Sequence, residues 1–223
     1  MATSAVDNVF EFRGVEDLYY AEVTEDSETQ FSTGTPKRLS YTAKIAKEVE
    51  SSSETHYYDN KGMIVVNAKG AETFTLTVAP PKLETLADIT GQAFDSDSGM
   101  LMEGEVKPKY YAIGYKAKGT DGNWRYCWKY KGQFSIPSEE VNTESDSIDT
   151  TNTELTYTAV NTIYKFAQTI GKATANAAMS GIVVDERYGG MTDEMKAAWT
   201  KQVWTPSDVH NKTLPSATQS TKV

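Results

Sequence analysis

The chain reads as a mainly-β protein built from antiparallel strands with one short flanking helix. Three observations carry that expectation. Residues 109–136 alternate apolar and polar side chains along two arms separated by Asp121-Gly122. A period of two over that length is strand, and Asp-Gly tolerates the positive φ that a hairpin turn needs. Tyr, with 13 copies, and Thr are abundant while Leu is scarce, a balance that favours strand over helix. Shorter alternating runs bounded by Gly, Pro and acidic clusters recur along the rest of the chain.

In the first arm of the hairpin Tyr111, Ile113, Tyr115 and Ala117 share a face; in the second, Trp124, Tyr126, Trp128 and Tyr130 do. The alternation assigns both rows to one apolar face of a core hairpin, with Lys116, Lys118, Arg125, Lys129, Lys131 and Gln133 opposite. Gly132 interrupts the aromatic row and predicts a bulge or bend before Phe134 and Ile136. Two strands with one apolar face are not stable alone, so a second sheet or a helix must cover them.

The remaining elements follow in order. Residues 1–14 read as an N-terminal arm held only by Val9, Phe10 and Phe12. Residues 18–23 form a first strand, and residues 39–45, with Leu39, Tyr41, Ala43 and Ile45 alternating, a second. The segment SSSETHYYDNKG at 51–62 is too polar for a core and too aromatic for an idle linker; it reads as a reaching hairpin between strands. Two strands follow at 63–68 and 71–79. The second sets Phe74, Leu76 and Val78 inward and Thr73, Thr75 and Thr77 on a wet face. Leu83, Leu86, Ala87 and Ile89 have helical spacing, and Gly91 stops the helix. Residues 138–154 form an acidic, Ser/Thr-rich surface loop. Residues 154–166 read as a last long strand with a register slip, and residues 182–185 as a short edge strand. The main β domain spans 15–186. Residues 187–223 read as a C-terminal arm with one short helix within 192–204 and a structureless tail from 206. Met191, Met195, Trp199 and Trp204 are too apolar for a free tail and are its expected anchors, docking on a neighbouring copy at the expense of ordering entropy.

The charge balance constrains partners. With 31 acidic and 22 basic residues the net charge is −9, which repels nucleic acid and anionic membrane unless a local basic patch intervenes. Apolar runs such as 63–66 are too short to span a bilayer, and the first residues do not have the basic-then-apolar form of a signal peptide. A single cysteine, Cys127, rules out an internal disulfide framework and fits a reducing compartment. Catalytic chemistry is sparse. The two histidines, His56 and His210, lie in a polar loop and in the tail, which argues against a His-dependent triad or a zinc site. Asp95-Ser96-Asp97-Ser98-Gly99 has a calcium-loop flavour, but Met100 and Val106 stand where that loop needs Gly and Glu, so it reads as a turn. The expectation is a non-enzyme with no catalytic residue, cofactor or metal. One functional alternative uses the hairpin: Trp124, Tyr126 and Trp128 on one face would suit a sugar-stacking platform in a carbohydrate-binding β-sandwich, although alternate aromatics more commonly form core.

Four stretches in a fixed order carry a further resemblance: KEVESSSETHYYDNKG at 47–62, LADITGQAFDSDSG at 86–99, KPKYYAIGYKAKGTDG at 107–122 and YCWKYKGQFSIP at 126–137. Over about residues 14–185 the chain resembles the major tail (tail tube) proteins of long, non-contractile-tailed phages and prophages of Gram-positive bacteria. The resemblance implies two packed antiparallel sheets with a flanking helix, and a structural virion protein assembled in the host cytoplasm. It implies hexameric rings stacked on a tape-measure protein, capped by tail terminator and distal tail proteins. It further implies that DNA passes through the lumen in transit without stable binding and that no membrane is involved. It also implies that Ser51, Ser52, Ser53, Glu54, Thr55, His56, Tyr57, Tyr58, Asp59 and Asn60 reach neighbouring subunits. The segment after residue 187 departs from the family pattern.

Overall fold

The structure, a computed structural model, describes residues 9–138, 151–170 and 173–214. The strands β1 (Phe12–Asp26), β2 (Phe31–Thr33), β3 (Lys37–Arg38), β4 (Thr42–Tyr58) and β5 (Lys61–Val78) precede the helix α1 (Leu83–Thr90). Then come β6 (Ala93–Asp95), β7 (Met100–Met102), β8 (Tyr111–Gly119), β9 (Trp124–Phe134), β10 (Thr153–Ala159), β11 (Phe166–Ile170), β12 (Ala173–Ala177) and β13 (Gly181–Asp185). A 3-10 turn (Glu186–Tyr188) leads to α2 (Asp193–Ala198) and α3 (Pro206–Asn211). The fold is mainly β, as the alternation requires.

One nine-stranded sheet runs β2-β1-β8-β9-β10-β5-β4, with β3 beside β1 and β13 beside β9. It folds back on itself at the short β9–β10 pairing, which spans only Phe134, Gln133 and Gly132 of β9. In a flat sheet β8 and β5 would lie three strand spacings apart, about 14 Å. Yet the rings of Tyr115 on β8 and Phe74 on β5 are 6.5 Å apart. The two halves therefore pack face to face as a sandwich. Between them lies one core of Leu18, Tyr20, Phe74, Leu76, Tyr111, Ile113, Phe134, Leu155 and Tyr157. As the spacing predicts, α1 is amphipathic and ends at Gly91, whose φ of 74° is left-handed. It closes one end of the sandwich by burying Ala87 and Ile89.

The core hairpin differs from its expected form in an instructive way. Gly114 pairs with Trp128, Tyr115 with Cys127 and Lys116 with Tyr126. Partners across an antiparallel ladder share a face, so the two aromatic rows lie on opposite faces. Tyr111 and Ile113 enter the sandwich core, while Tyr126, Trp128 and Tyr130 enter a second core on the outer side of the same sheet. The expected gap at Gly132 is a bulge: Tyr111 pairs with Gly132 but Ile113 with Lys129. The extra β9 residue turns Phe134 back into the sandwich.

The C-terminal segment covers that second face. Met191, Met195, Trp199 and Trp204 are buried with Tyr126, Trp128, Tyr130 and Phe166, and the Trp199 and Trp204 rings stack at 5.5 Å. They are core residues of this chain and not anchors of a detached arm, because the split aromatic rows leave the outer face in need of a cap. The boundary expected at residue 187 also falls inside a staple. Arg187 donates two hydrogen bonds of 2.7 Å to Asp121 in the hairpin turn and one of 2.9 Å to Asp185, with its guanidinium 3.4 Å from the Phe10 ring centre. The tail read as structureless from 206 contains α3, started by a capping box between Thr205 and Asp208 with Pro206 behind the cap.

Other boundaries move as well. β1 begins at Phe12, inside the expected N-terminal arm. The strands expected at 63–68 and 71–79 are one, β5, and the single long strand at 154–166 is β10 followed by β11. The small residues ATANA of Ala173–Ala177 form β12, paired to β11, and β13 is the expected short edge strand, paired to β9. The Asp95–Gly99 segment is a turn between β6 and β7, in which Asp95 accepts from the Asp97 amide and the Ser98 hydroxyl. The acidic loop expected at 138–154 falls largely outside the described residues.

Candidate functional site

The feature that the core does not explain is the outer half of the β4–β5 hairpin. Residues 47–61 and 63–68 are exposed on both strands, although the ladder continues to Tyr58↔Lys61, with register shifts between Val49 and Ser51 and between His56 and Tyr57. The tip is a two-residue turn at Asp59 and Asn60, with φ of 50° and 62°. Positive φ at both central residues is the turn type whose twist suits a tight hairpin, and Asp and Asn tolerate it. Ser51, Ser52, Ser53, Glu54, Thr55, His56, Tyr57 and Tyr58 thus lie on a strand, with Asp59 and Asn60 at its end. The expected reaching hairpin is present, longer and more regular than a polar loop.

About ten residues of each strand stand clear of the body, a ribbon of about 30 Å at 3.3 Å per residue. It is not polar throughout. Met63, Ile64, Val65 and Val66 are 49–67 % exposed, and Tyr57 and Tyr58 more than half. Since neighbours alternate faces, Ile64 and Val66 lie on one side of the ribbon and Val65 on the other. A two-stranded ribbon with apolar groups on both faces is marginal alone in water, and such a patch marks an interaction surface. Residues 48–60 add four acids, Glu48, Glu50, Glu54 and Asp59, and no Lys or Arg. β4 is also the last strand in the sheet order. Its outer edge offers backbone donors and acceptors to a further strand.

Behind the ribbon the sandwich is locked by charge. Glu72 on β5 and Lys129 on β9 are both buried and meet at 2.5 Å across the two halves. Glu72 also accepts from the Ser180 hydroxyl at 3.1 Å and lies 3.1 Å from the Lys47 ammonium. Burial pulls the Lys129 pKa below its ordinary value, with Glu72 opposing the shift. Lys129, read from the sequence as part of a polar outer face, is therefore an interior ion-pair partner. Lys131 is likewise turned onto Asp26 at 2.7 Å, and Lys116 onto Asp17 at 2.7 Å. Cys127 is buried, and that burial pushes its thiol pKa up despite the Tyr115 hydroxyl and Lys129.

The aromatic platform for a sugar is not accessible. Tyr126 and Trp128 are buried under α2 and its flanks, and Trp124 has the Lys116 and Lys118 ammonium groups 4.6 and 5.1 Å from its ring centre. Among the described residues no three His, Cys, Asp or Glu side chains are grouped to hold a metal ion. None of the described helices is long and apolar enough to cross a membrane.

The opposite face of β10-β5-β4 is open and hydroxyl-rich. Thr158, Thr73 and Glu48 lie in one row, Thr156, Thr75 and Ala46 in the next, and Glu154, Thr77 and Lys44 in a third. All of the threonines are half-buried.

Comparison with protein-family models finds no match to this chain, and comparison with curated proteins likewise finds none.

Proposed function

We propose that the chain is a structural protein that assembles with copies of itself, as the major tube subunit of a long, non-contractile phage tail. The observation that carries this reading is the projecting β4–β5 ribbon, apolar on both faces and attached to a body that has no use for it. A second copy of the chain is a partner that is always present at equal concentration. Pairing of open edges around a closed ring is also the general remedy for exposed strands.

In the proposed assembly the subunits form hexameric rings, and the rings stack on a tape-measure protein between tail terminator and distal tail proteins. The hydroxyl-rich face of β10-β5-β4 lines the lumen. Its charged members are Glu48, Glu154 and Lys44, and phosphate contacts from clustered cations are the main source of DNA affinity. A wall with more acids than bases lets DNA pass without holding it. Carbohydrate binding is not favoured, because its platform forms the second core.

Size-exclusion chromatography followed by negative-stain electron microscopy tests the proposal. Rings or tubes are the expected images. A chain that stays monomeric at high concentration and shows neither would sink it.

A further inference from the structure

At the end of the sandwich opposite the ribbon tip, a groove of about 1070 Å³ runs between α1 and the segment entering β4. Leu39 and Ala87 form its buried floor, and Tyr41, Pro80 and Pro81 one wall. The lining carries five cations, Lys37, Arg38, Lys82, Lys107 and Lys109, against Glu84, Asp88 and Glu105. On a chain of net charge −9, this is a local cationic excess. Lys37 and Lys109 are held by Asp88, at 3.3 and 3.7 Å. Arg38 lies against Asp17 and over the Tyr41 ring. No ion pair to another described residue engages Lys82 or Lys107. The groove thus combines an apolar floor with a rim of uncommitted positive charge.

We infer that this groove receives the ribbon tip of another copy, with Tyr57 and Tyr58 on its apolar floor and Glu54 and Asp59 facing Lys82 and Lys107. The inference rests on the self-assembly reading and names the site that the ribbon engages. Two features select this occupant. Residues 48–60 of the ribbon complement the groove: they set exposed Tyr57 and Tyr58 beside four acids, while the groove sets an apolar floor beside an excess of cations, and Lys61 on the return strand leaves the ribbon net acidic. The chain also cannot fill its own groove. Tyr41 lines the groove immediately before β4 begins, and the tip follows β4 at its far end. Seventeen strand residues separate them by roughly 55 Å. A tip and a groove at opposite ends of one strand pair make a head-to-tail contact, which repeats along the strand direction and does not close on a dimer. The ribbon would therefore join successive rings along the tube.

The test is a charge reversal with a partner swap. Lys82→Glu with Lys107→Glu alters two exposed or rim side chains with no ion pair, so circular dichroism and melting temperature should match the wild type. Assembly followed by light scattering should slow or weaken about tenfold, equivalent to about 1.4 kcal/mol. Glu54→Lys with Asp59→Asn on the ribbon of the same chain, which removes both acids and keeps a residue that tolerates the positive φ at 59, should restore it. Wild-type tubes with undiminished assembly of the Lys82/Lys107 variant would overturn the groove assignment and leave the tube reading standing. Loss without rescue would overturn the pairing of these charges. Failure of the wild type to assemble would remove the tube reading itself, and the inference with it.

Discussion

Trp128 lies across Gly114. The two are ladder partners on β9 and β8, and a Cβ built on Gly114 would sit 2.6 Å from the indole ring. The largest side chain of the outer core uses the space left by the smallest residue. It belongs to the same buried cluster as Trp199 and Trp204. Glycine here serves close approach and not an unusual backbone angle.

Gly114→Ala should therefore cost about 1–3 kcal/mol through overpacking, although alanine is otherwise the better strand residue. Urea denaturation at neutral pH measures it, and the loss of tryptophan burial should follow the same transition. An alanine variant as stable as the wild type would show that the indole can move aside freely.

The same pair explains what could be read in the sequence and what could not. The alternation in residues 109–136 reveals two strands and a turn at Asp121-Gly122, and both are present. It does not reveal the length of the turn. Five residues, 119–123, separate the paired Lys118 and Trp124, so odd-numbered residues face odd-numbered ones. A loop one residue shorter would have placed Tyr115 beside Trp128's row. Loop parity thus decided whether the protein has one core or two, and with it whether Met195 and Trp204 were anchors of an arm or members of a core. The cap on α3 was readable: Thr205-Pro206-Ser207-Asp208 carries the N-cap signature. The Lys129–Glu72 contact was not, since a lysine on a strand gives no sign of a carboxylate 57 residues away that will meet it.

The covering role of the C-terminal segment predicts slow amide exchange around α2 in the isolated chain. Trp204→Ala should cost about 3–5 kcal/mol, as for other large buried aromatics, and truncation at Gly189 should yield an aggregating or molten product. Hydrogen exchange by mass spectrometry on the monomer is the measurement. Free exchange of residues 193–204 in a stable monomer would show that the segment does not cap the sheet on its own chain.

The ribbon predicts the opposite behaviour. Replacing residues 49–70 with a two-residue turn removes no member of either core. Shortening a connection changes loop entropy by only a few tenths of a kcal/mol to about 1 kcal/mol. The melting temperature should remain close to that of the wild type while rings and tubes disappear from electron micrographs. Tubes of normal appearance from this variant would remove the ribbon from assembly.

The last prediction concerns Asp26, which ties the end of β1 to the segment after β10. Its carboxylate accepts from the amides of Ile163, at 3.0 Å, and Tyr164, at 2.9 Å, and from Lys131 at 2.7 Å. Burial alone would raise its pKa. The hydrogen bonds from Lys131 and the two amides outweigh that and hold the pKa below the ordinary aspartate value. A carboxylate stabilised in this way contributes fully above the unfolded pKa of about 3.9. The contribution is lost as pH falls through the lower folded value. Asp26→Asn keeps the shape but removes the charge-assisted bonds, at a cost of about 1–3 kcal/mol at pH 7. Asp88 and Asp185 also have lowered values, so both proteins should weaken in acid. The difference between them should shrink as the pH approaches 2, because the wild type then loses what the variant never had. Parallel urea titrations at pH 7, 4 and 2.5 measure the gap, and a gap that stays constant across that range would mean that Asp26 does not act through its charge.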